Sequence, residues 1–257
     1  MQILISCAKT MGLCRGKDVP PATEPLFYKD AEAAIPELMK LNVEEVQSIL
    51  RVNRQIAAEN VLRYQGFYNE ETKRHPALLS YTGIVFKHIA PEHFTSEDWL
   101  YAQQHLCITS FLYGLLRPLD KIRPYRLEGD VILTHHPEQN RFEYWRERLT
   151  DYFINRIKAD DGILVNLASS EMKKLFDWKR VTKEVTVITP DFKVYKDGKL
   201  KSIVVYTKMC RGEMTRFILK NKILNPEELR LFEWEGFCPD YQEKGGGRLL
   251  FTLDEKG

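Results

Sequence analysis

Residues 112–128 read LYGLLRPLDKIRPYRLE, a stretch in which conformationally fixed residues alternate with cations. Pro118 and Pro124 each follow an arginine and fix the backbone φ angle at that point. Gly114, just before them, leaves the backbone free to adopt conformations that other residues avoid. A segment built in this way holds guanidinium groups at set angles, which suits binding to an anionic group such as a phosphate. The cations that it holds are Arg117, Arg123 and Arg126.

The overall composition is that of an ordinary globular protein. Of the 257 residues, 44% are hydrophobic, and 38 basic side chains balance 36 acidic ones, which leaves a formal net charge of +2. Because the bulk charge is close to zero, affinity for a nucleic acid has to come from a local patch of cations. The chain is long enough to bury a sizeable core and contains no repeat or low-complexity tract, so we expect one compact domain.

The sequence gives no sign of a targeting segment or a membrane span. The apolar run near the N-terminus is only Ile3 to Ile5, and no basic segment precedes it, so it does not resemble a signal peptide. No later apolar run approaches the roughly 18 to 20 residues that a membrane-spanning helix needs. We therefore expect a cytoplasmic protein.

The cysteines give no sign of a disulfide framework or a zinc ribbon, because their number is odd and their spacing is wide and irregular. They are Cys7, Cys14, Cys107, Cys210 and Cys238. The pair His135-His136 has no Cys or His at metal-ligand spacing nearby. We expect reduced thiols, no bound metal and no cofactor.

Two short apolar segments predict buried strands, over Gln2 to Ser6 and over Gly162 to Leu167, and polar residues follow each of them. Loops at the carboxyl ends of strands carry binding groups in α/β folds. We expect such groups at Ser6, Lys9 and Thr10, and at Asn166, Ser169 and Glu171. The alternatives are a solvated loop after the first strand and a simple helix cap, by Ser169 or Ser170, after the second.

Helical periodicity dominates between Asp30 and Tyr64. It predicts a short helix over Ala31 to Met39 and a longer one after Asn42, where Glu45 completes a capping signature. Two helices joined by so short a turn have the shape of a helix-hairpin-helix, whose backbone amides contact DNA phosphates. The glycines usual in such a turn are absent, so an ordinary packed pair of helices is the alternative.

Cap, turn and periodicity signals predict the remaining elements. They are helices from Thr95 towards Leu112 and over Phe142 to Ile157, a β-hairpin of Val181 to Val194 and Lys201 to Tyr206 around Asp197-Gly198, a helix that begins at Asn225-Pro226, and a last strand over Arg248 to Leu253.

The segment after the hairpin is rich in cations. If it is helical, Lys208, Gly212 and Arg216 lie on one face at four-residue steps. A glycine between two cations lets either a phosphate or another backbone approach closely.

Polar and cationic residues thus fall at the ends of elements in four separate segments. If the fold brings them together, they form a cationic cleft that binds DNA phosphates independently of sequence and with a strong dependence on salt. For any single lysine or arginine, a solvated surface position is the alternative. The predicted phosphate-binding residues are Ser6, Lys9, Thr10, Arg117, Tyr125, Arg126, Asn166, Ser169, Lys208, Arg211 and Arg216.

These segments occur in the order seen in the YaaA peroxide stress protein family, also called DUF328 or UPF0246. They are Ser6-Cys7-Ala8-Lys9-Thr10, Tyr113 to Glu128, Asn166 to Glu171, and Lys208 to Phe217. The chain resembles this family over nearly its whole length. The resemblance implies a single domain over residues 1–257 with a mixed α/β (α+β) fold, and a helix-hairpin-helix element supplied by a helical hairpin at about residues 30–65.

The resemblance also implies a cytoplasmic bacterial protein that helps cells survive hydrogen peroxide by limiting iron-driven oxidative damage. In this family a positively charged cleft beside the hairpin binds double-stranded DNA. Carried over by motif, the residues that line this cleft are Lys9, Arg117, Arg126, Lys208, Arg211 and Arg216.

The sequence departs from the family pattern at several positions. Cys7 stands where proline is usual, and Gly83-Ile84-Val85-Phe86 stands where Gly-Asp-Val-Tyr is usual, so the family's aspartate has no counterpart here. The methionine usual before Gly129 is missing, and the serine usual near the C-terminus is replaced within Glu243 to Gly247.

Two further function classes compete with DNA binding. One is an enzyme that acts on a nucleotide or a DNA lesion, with Glu171 as candidate catalytic residue and general base. The other is a protein-interaction module. A deep closed pocket with Glu171 and Lys9 within hydrogen-bond reach favours the enzyme, whereas an open basic groove as wide as a duplex favours binding. Because the chain carries no known catalytic motif, we expect a non-catalytic DNA-binding protein.

Overall fold

The central feature of the computed structural model is a five-stranded sheet built around the N-terminal strand. The structure describes residues 1–134, 136–240 and 249–254. Over all sheets of the structure, the strands are β1 (Gln2–Ile5), β2 (His75–Pro76), β3 (Leu106–Ser110), β4 (Gly114–Leu116), β5 (Lys121–Ile122), β6 (Ile163–Asn166), β7 (Thr186–Ile188), β8 (Asp191–Lys196), β9 (Lys199–Lys201), β10 (Cys238–Pro239) and β11 (Leu250–Asp254).

The strand order of the central sheet is β4-β3-β1-β6-β7, with β4 as an antiparallel edge strand and the other four strands parallel. All residues of β1 and β3 are buried, as expected for parallel strands that are covered on both faces. A second sheet has the order β10-β11-β8-β9, and β2 pairs with β5. The carboxyl ends of β1, β3 and β6 therefore lie side by side at one edge of the central sheet.

The helices surround these sheets. They are α1 (Tyr28–Leu38), α2 (Val43–Leu50), α3 (Arg54–Gln65), α4 (Ala77–Ser80), α5 (Ile84–Ile89), α6 (Ser96–His105), α7 (Arg141–Ala159), α8 (Ser170–Lys173), α9 (Trp178–Glu184) and α10 (Val204–Asn221), with short 3-10 helices at Pro91–His93 and Pro226–Leu231. Every helix in the described part of the chain is either too short or too polar to span a lipid bilayer.

The structure confirms the mixed α/β class and the single domain. It also confirms several local signals. The capping boxes at Asn42 and Thr95 are both complete. Asp197 and Gly198 have φ angles of 54° and 70°, which suit the two-residue turn between β8 and β9.

The helix predicted from Thr95 towards Leu112 is wrong in its second half, because α6 ends at His105 and β3 begins at Leu106. A short apolar run fits a buried strand as well as a helix face. What decides between them is parallel pairing with β1, in which Leu106, Cys107 and Ile108 lie opposite Ile3, Leu4 and Ile5.

Three helices occupy the region where periodicity predicts two. The predicted second helix is interrupted because Arg51 adopts a left-handed conformation and the Asn53 side chain accepts a hydrogen bond from the Ile56 amide, which starts α3. The turn between α2 and α3 is therefore only Arg51 to Asn53.

Other predicted boundaries also shift. Val181 belongs to α9, whose first turn Asp177 caps, and Val204 to Tyr206 form the start of α10 instead of a strand. The signal at Asn225-Pro226 starts a 3-10 helix, and the last strand begins at Leu250. His135, Arg248 and the segment 243–247 lie outside the described residues.

Gly212 serves the packing of α10 against α5. A Cβ atom at this position would lie 2.4 Å from the Val85 carbonyl oxygen and 2.6 Å from the His88 Cβ atom. Of the two interpretations of a glycine between cations, the structure therefore shows the close approach of another backbone.

Replacing Gly212 by alanine is expected to lower the free energy of unfolding by about 1 to 3 kcal/mol, because the added methyl group overpacks this helix contact. Chemical denaturation measures the change. As a control, Val205→Ala on an exposed part of the same helix is expected to cost under about 0.5 kcal/mol. An unchanged denaturation midpoint for Gly212→Ala would contradict the close contact between α5 and α10.

Candidate functional site

A cavity of about 430 Å³ opens where the carboxyl ends of β1, β3 and β6 meet. Its size falls within the range of roughly 300 to 1,000 Å³ that is usual for sites that hold a small ligand. It also lies where the chain changes direction across the sheet, with β3 on one side of β1 and β6 on the other. We call it the cationic cavity.

Residues from all four predicted segments line the cationic cavity. The apolar part of its wall includes Phe111, Leu127, Leu167 and Met172. The predicted site residues that line it are Ser6, Lys9, Thr10, Tyr125, Arg126, Ser169, Glu171, Lys208 and Arg211.

Three predicted residues do not line it, and the first is Arg117. Its backbone amide and its guanidinium both donate to the fully buried carboxylate of Asp120, at 2.8 Å for the amide and 2.8 Å for Nη2. Arg117 Nη2 also donates to the Glu24 carbonyl oxygen. The prediction that Arg117 joins the other cations in one cleft is therefore wrong. Its amide, Nε and Nη2 donate to groups within the protein.

The predictions that Asn166 and Arg216 line the cleft are also wrong. The Asn166 side chain is buried and bonds to Thr189 and the Ala168 amide. Arg216 Nη1 donates to the carbonyl oxygens of Ile89 and Ala90, both at 3.0 Å. These carbonyls end α5, so Arg216 caps a helix C-terminus instead of facing the cavity.

A buried carboxylate holds two of the cavity cations. Glu128 is 5% exposed, and its Oε2 atom lies 2.7 Å from Lys9 Nζ. Its Oε1 atom accepts from Arg126 at 3.2 Å. Lys9 is thus bonded to Glu128 and not to Glu171. Sequence reasoning assigned no role to Glu128, although Glu128 is the last residue of the cation-rich segment 112–128.

The other two cations that line the cavity have no partner among the described residues. Neither the Lys208 ammonium nor the Arg211 guanidinium has a hydrogen bond or ion pair with any described residue. Burial lowers the pKa of Arg211, and the negative charge of Asp191 partly opposes this shift. Burial and the nearby Arg211 lower the pKa of Lys173 on α8. Lys208 and Arg211 thus bring positive charge to the cavity wall, and Lys173, to which sequence reasoning gave no role, lies near Arg211 outside that wall.

Ser6 joins two walls of the cavity. Its hydroxyl oxygen accepts a hydrogen bond from the Ser169 amide at 2.9 Å and donates to the Ser169 hydroxyl at 3.3 Å. Ser169 precedes α8 but makes no side-chain cap, so the interpretation of Ser169 as a simple helix cap is wrong. The Tyr125 hydroxyl is likewise engaged, with Ser110 at 2.6 Å and Tyr81 at 2.9 Å.

Comparison with known proteins shows the family of the chain. The family model described as peroxide stress protein YaaA matches residues 1–243. The chain belongs to the YaaA peroxide stress protein family. It is similar to the UPF0246 protein of Bacteroides thetaiotaomicron, with 57% identity over 251 residues and 98% of both chains covered. The UPF0246 protein of Clostridium beijerinckii is 34% identical over 255 residues, which cover 99% of this chain and 98% of that protein.

Membership of the YaaA family makes the thiols of interest, and the cavity thiol is Cys7. Burial raises the pKa of Cys7 to about 12, and the carboxylates of Glu171 and Glu128 act in the same direction. Burial also raises the pKa of Cys210 to about 12. Since the thiolate is the reactive form, neither residue is suited to reacting with peroxide.

We expect iodoacetamide at pH 8 to label Cys7 and Cys210 about a thousandfold more slowly than an ordinary thiol, because a pKa raised by about three units lowers the thiolate fraction by that factor. The exposed Cys238 of the same chain serves as the control and should be labelled first. Mass spectrometry of each cysteine gives the rates. Rapid and selective oxidation of Cys210 at low peroxide would contradict this and make the protein a sensor.

The turn between α2 and α3 carries a cation, Arg51, that does not line the cationic cavity. Asp130 is the main partner of Arg51 in this turn and raises its pKa, and the cavity carboxylates Glu128 and Glu171 add to the effect. Arg51 is therefore a cation on which the cavity carboxylates act, but it is already paired with Asp130, and sequence reasoning gave it no role. In the described part of the chain, no group of three His, Cys, Asp or Glu side chains is arranged to hold a metal ion.

Proposed function

We propose that this peroxide stress protein binds double-stranded DNA at the cationic cavity, independently of sequence, and that this binding in the cytoplasm limits iron-driven oxidative damage. The observation that supports the proposal most is the state of Arg211. Arg211 is partly buried, burial lowers its pKa, and its guanidinium has no acceptor among the described residues, which is unfavourable for a charged group in the free protein. A phosphate oxygen would supply the missing acceptors, and the arginine fork suits it.

The charge balance around the cavity supports an anionic ligand. Glu128 pairs with Lys9 and Arg126, whereas Lys208 and Arg211 form no ion pair with a described residue. Of the residues that the structure describes, four cations thus line the cavity against one lining carboxylate, Glu171. Phosphate contacts of this kind give affinity without sequence preference.

Within the predicted hairpin region of about residues 30–65, we assign the helix-hairpin-helix element of the proposal to α2 and α3, whose turn lies at Arg51 to Asn53 and not at residues 40–42 as the periodicity predicted. The Arg51 and Val52 amides donate to carbonyls of α2, so the amides at the start of α3 are the ones that would contact a neighbouring phosphate.

The size of the cavity defines what part of the DNA enters it. A volume of about 430 Å³ is that of a small-ligand site and far below that of a duplex segment. We infer that the duplex lies across the rim and that one unstacked nucleotide enters the cavity. Extrusion of a nucleotide costs a few kcal/mol and costs least at a damaged or mismatched position.

The second candidate function is an enzyme that acts on a nucleotide or a DNA lesion. It is favoured by the enclosed apolar wall and by the exposed Glu171 carboxylate, which has no hydrogen-bond partner among the described residues. The bond between Lys9 and Glu128 weighs against it, because Lys9 and Glu171 do not form the pair that general acid–base chemistry would use.

Binding of 20-base-pair duplexes of several unrelated sequences, measured by fluorescence anisotropy at several salt concentrations, tests the proposal. We expect equal affinities for all sequences, a steep loss of affinity with salt, and tighter binding when one base is unpaired. A flat salt dependence would contradict the electrostatic basis of binding. Conversion of a lesion-containing duplex to product would favour the enzyme.

A further inference from the structure

A second cavity, of about 330 Å³, lies next to the cationic cavity. Two segments run from one cavity into the other. Residues 9–10 line the first and 11–13 line the second, while residues 125–127 line the first and 123–124 line the second. Backbone hydrogen bonds fix this shared wall, from the Gly12 amide to the Ser80 carbonyl at 3.0 Å and from the Thr82 amide to the Thr10 carbonyl at 3.1 Å.

The two cavities are lined by consecutive residues of the same backbone segments. Arg123 lines the second and Arg126 lines the first, and three residues of chain span at most about 10 Å. Phosphates of one DNA strand follow one another about every 3.4 Å along the duplex axis. A strand that follows these backbone segments from the first cavity reaches the second within a few phosphates.

The second cavity is positively charged. The side chains of Arg63, Lys73 and Arg123 line it, and its wall contains no aspartate or glutamate. Glu59 neutralises Arg63 from within α3. Lys73 has no hydrogen bond or ion pair with any residue that the structure describes.

Arg123 is held in position but is not neutralised. Its guanidinium lies over the Phe67 ring, 5.4 Å from the ring centre, and Nη2 donates to the Asn69 carbonyl oxygen at 3.2 Å. Its Nε atom is buried and has no hydrogen-bond partner. Stacking fixes the plane of the guanidinium, so the fork is ordered before any ligand arrives.

We propose that the second cavity is a phosphate subsite that binds the same DNA strand a few nucleotides from the cationic cavity. This inference rests on the proposed function and adds the direction in which the strand leaves the first cavity. The exposed side chains of Leu13 and Leu62 flank the subsite and supply apolar surface for the sugars between phosphates.

The double variant Lys73→Gln/Arg123→Gln, which removes the two cations of the subsite that no carboxylate of the described residues neutralises, tests the subsite with a 20-base-pair duplex as the probe. Each lost phosphate contact lowers the slope of log affinity against log salt by about 0.9, so we expect a slope about 1.8 shallower. The control is Lys179→Gln/Lys183→Gln, which removes the same charge from exposed positions of α9 that line neither cavity. The control should keep the slope of the unchanged protein.

The outcomes separate this inference from the proposed function. If the unchanged protein binds the duplex with a steep slope and Lys73→Gln/Arg123→Gln keeps that slope, the subsite is wrong and the proposed function stands. If the unchanged protein does not bind the duplex, both are wrong. If the double variant loses its thermal unfolding transition, Lys73→Gln alone decides, with an expected change of about 0.9 in slope and no change if the subsite is wrong.

Discussion

Replacing Arg117 by alanine is expected to lower the free energy of unfolding by about 3 to 5 kcal/mol, because the variant leaves a buried carboxylate without its ion-pair partner. Asp120 is fully buried and receives hydrogen bonds from the Arg117 amide and guanidinium and from the Thr23 hydroxyl. Differential scanning calorimetry or urea denaturation measures the loss. The salt dependence of DNA binding should not change in this variant, because Arg117 does not line the cationic cavity.

A matched control for Arg117 is Arg180, another arginine in ion pairs. Arg180 contacts Asp151 and Glu184, but all three side chains are well exposed to solvent. Exposed ion pairs contribute up to about 1 kcal/mol, so Arg180→Ala should change stability little. A stable Arg117→Ala protein with a shallower salt slope would contradict the structural role and return Arg117 to the binding site.

The double variant Lys208→Ala/Arg211→Ala is expected to bind duplex DNA about 60-fold more weakly at 0.1 M salt. Two lost phosphate contacts make the slope of log affinity against log salt about 1.8 shallower. If the two proteins bind equally at 1 M salt, this difference in slope gives the roughly 60-fold weaker affinity at 0.1 M salt. The loss should be the same for every DNA sequence, because phosphate contacts carry no base information. Fluorescence anisotropy on two unrelated duplexes measures both quantities.

The control for this variant is Lys179→Ala/Lys183→Ala, which makes the same change in net charge on α9. Both control residues are exposed and neither lines the cationic cavity. The control should bind like the unchanged protein. Equal weakening by the two double variants would mean that net charge and not the cavity determines affinity.

Local sequence signals predicted which segments meet at the cavity. Polar residues that follow an apolar run lie at the end of a strand, and parallel strands bring such ends together. Ser6, Lys9 and Ser169 were found in this way, and the structure places all three in the cavity wall. The capping boxes at Asn42 and Thr95 were likewise readable because all their atoms lie within four residues.

Long-range contacts were not readable from the sequence. Arg216 is bonded to carbonyls of α5 more than 120 residues away, and nothing near Arg216 in the sequence indicates them. Burial decided the role of Arg117, since Asp120 three residues later pairs strongly only because it lies in the interior. Pairing with β1 likewise decided that residues 106–110 form a strand. In each case the deciding information was a feature of the tertiary structure, namely a long-range hydrogen bond, burial or strand pairing.

The central claim is that the cations of the cationic cavity contact DNA, and lysine acetylation in the presence and absence of duplex DNA tests it most directly. Mass spectrometry gives the acetylation rate at each lysine. We predict that saturating duplex DNA slows acetylation of Lys9 and Lys208, which line the cavity, while Lys179 and Lys183 on α9 react at unchanged rates. Protection of Lys179 and Lys183 with no protection of Lys9 and Lys208 would contradict the claim and place the DNA on another face of the protein.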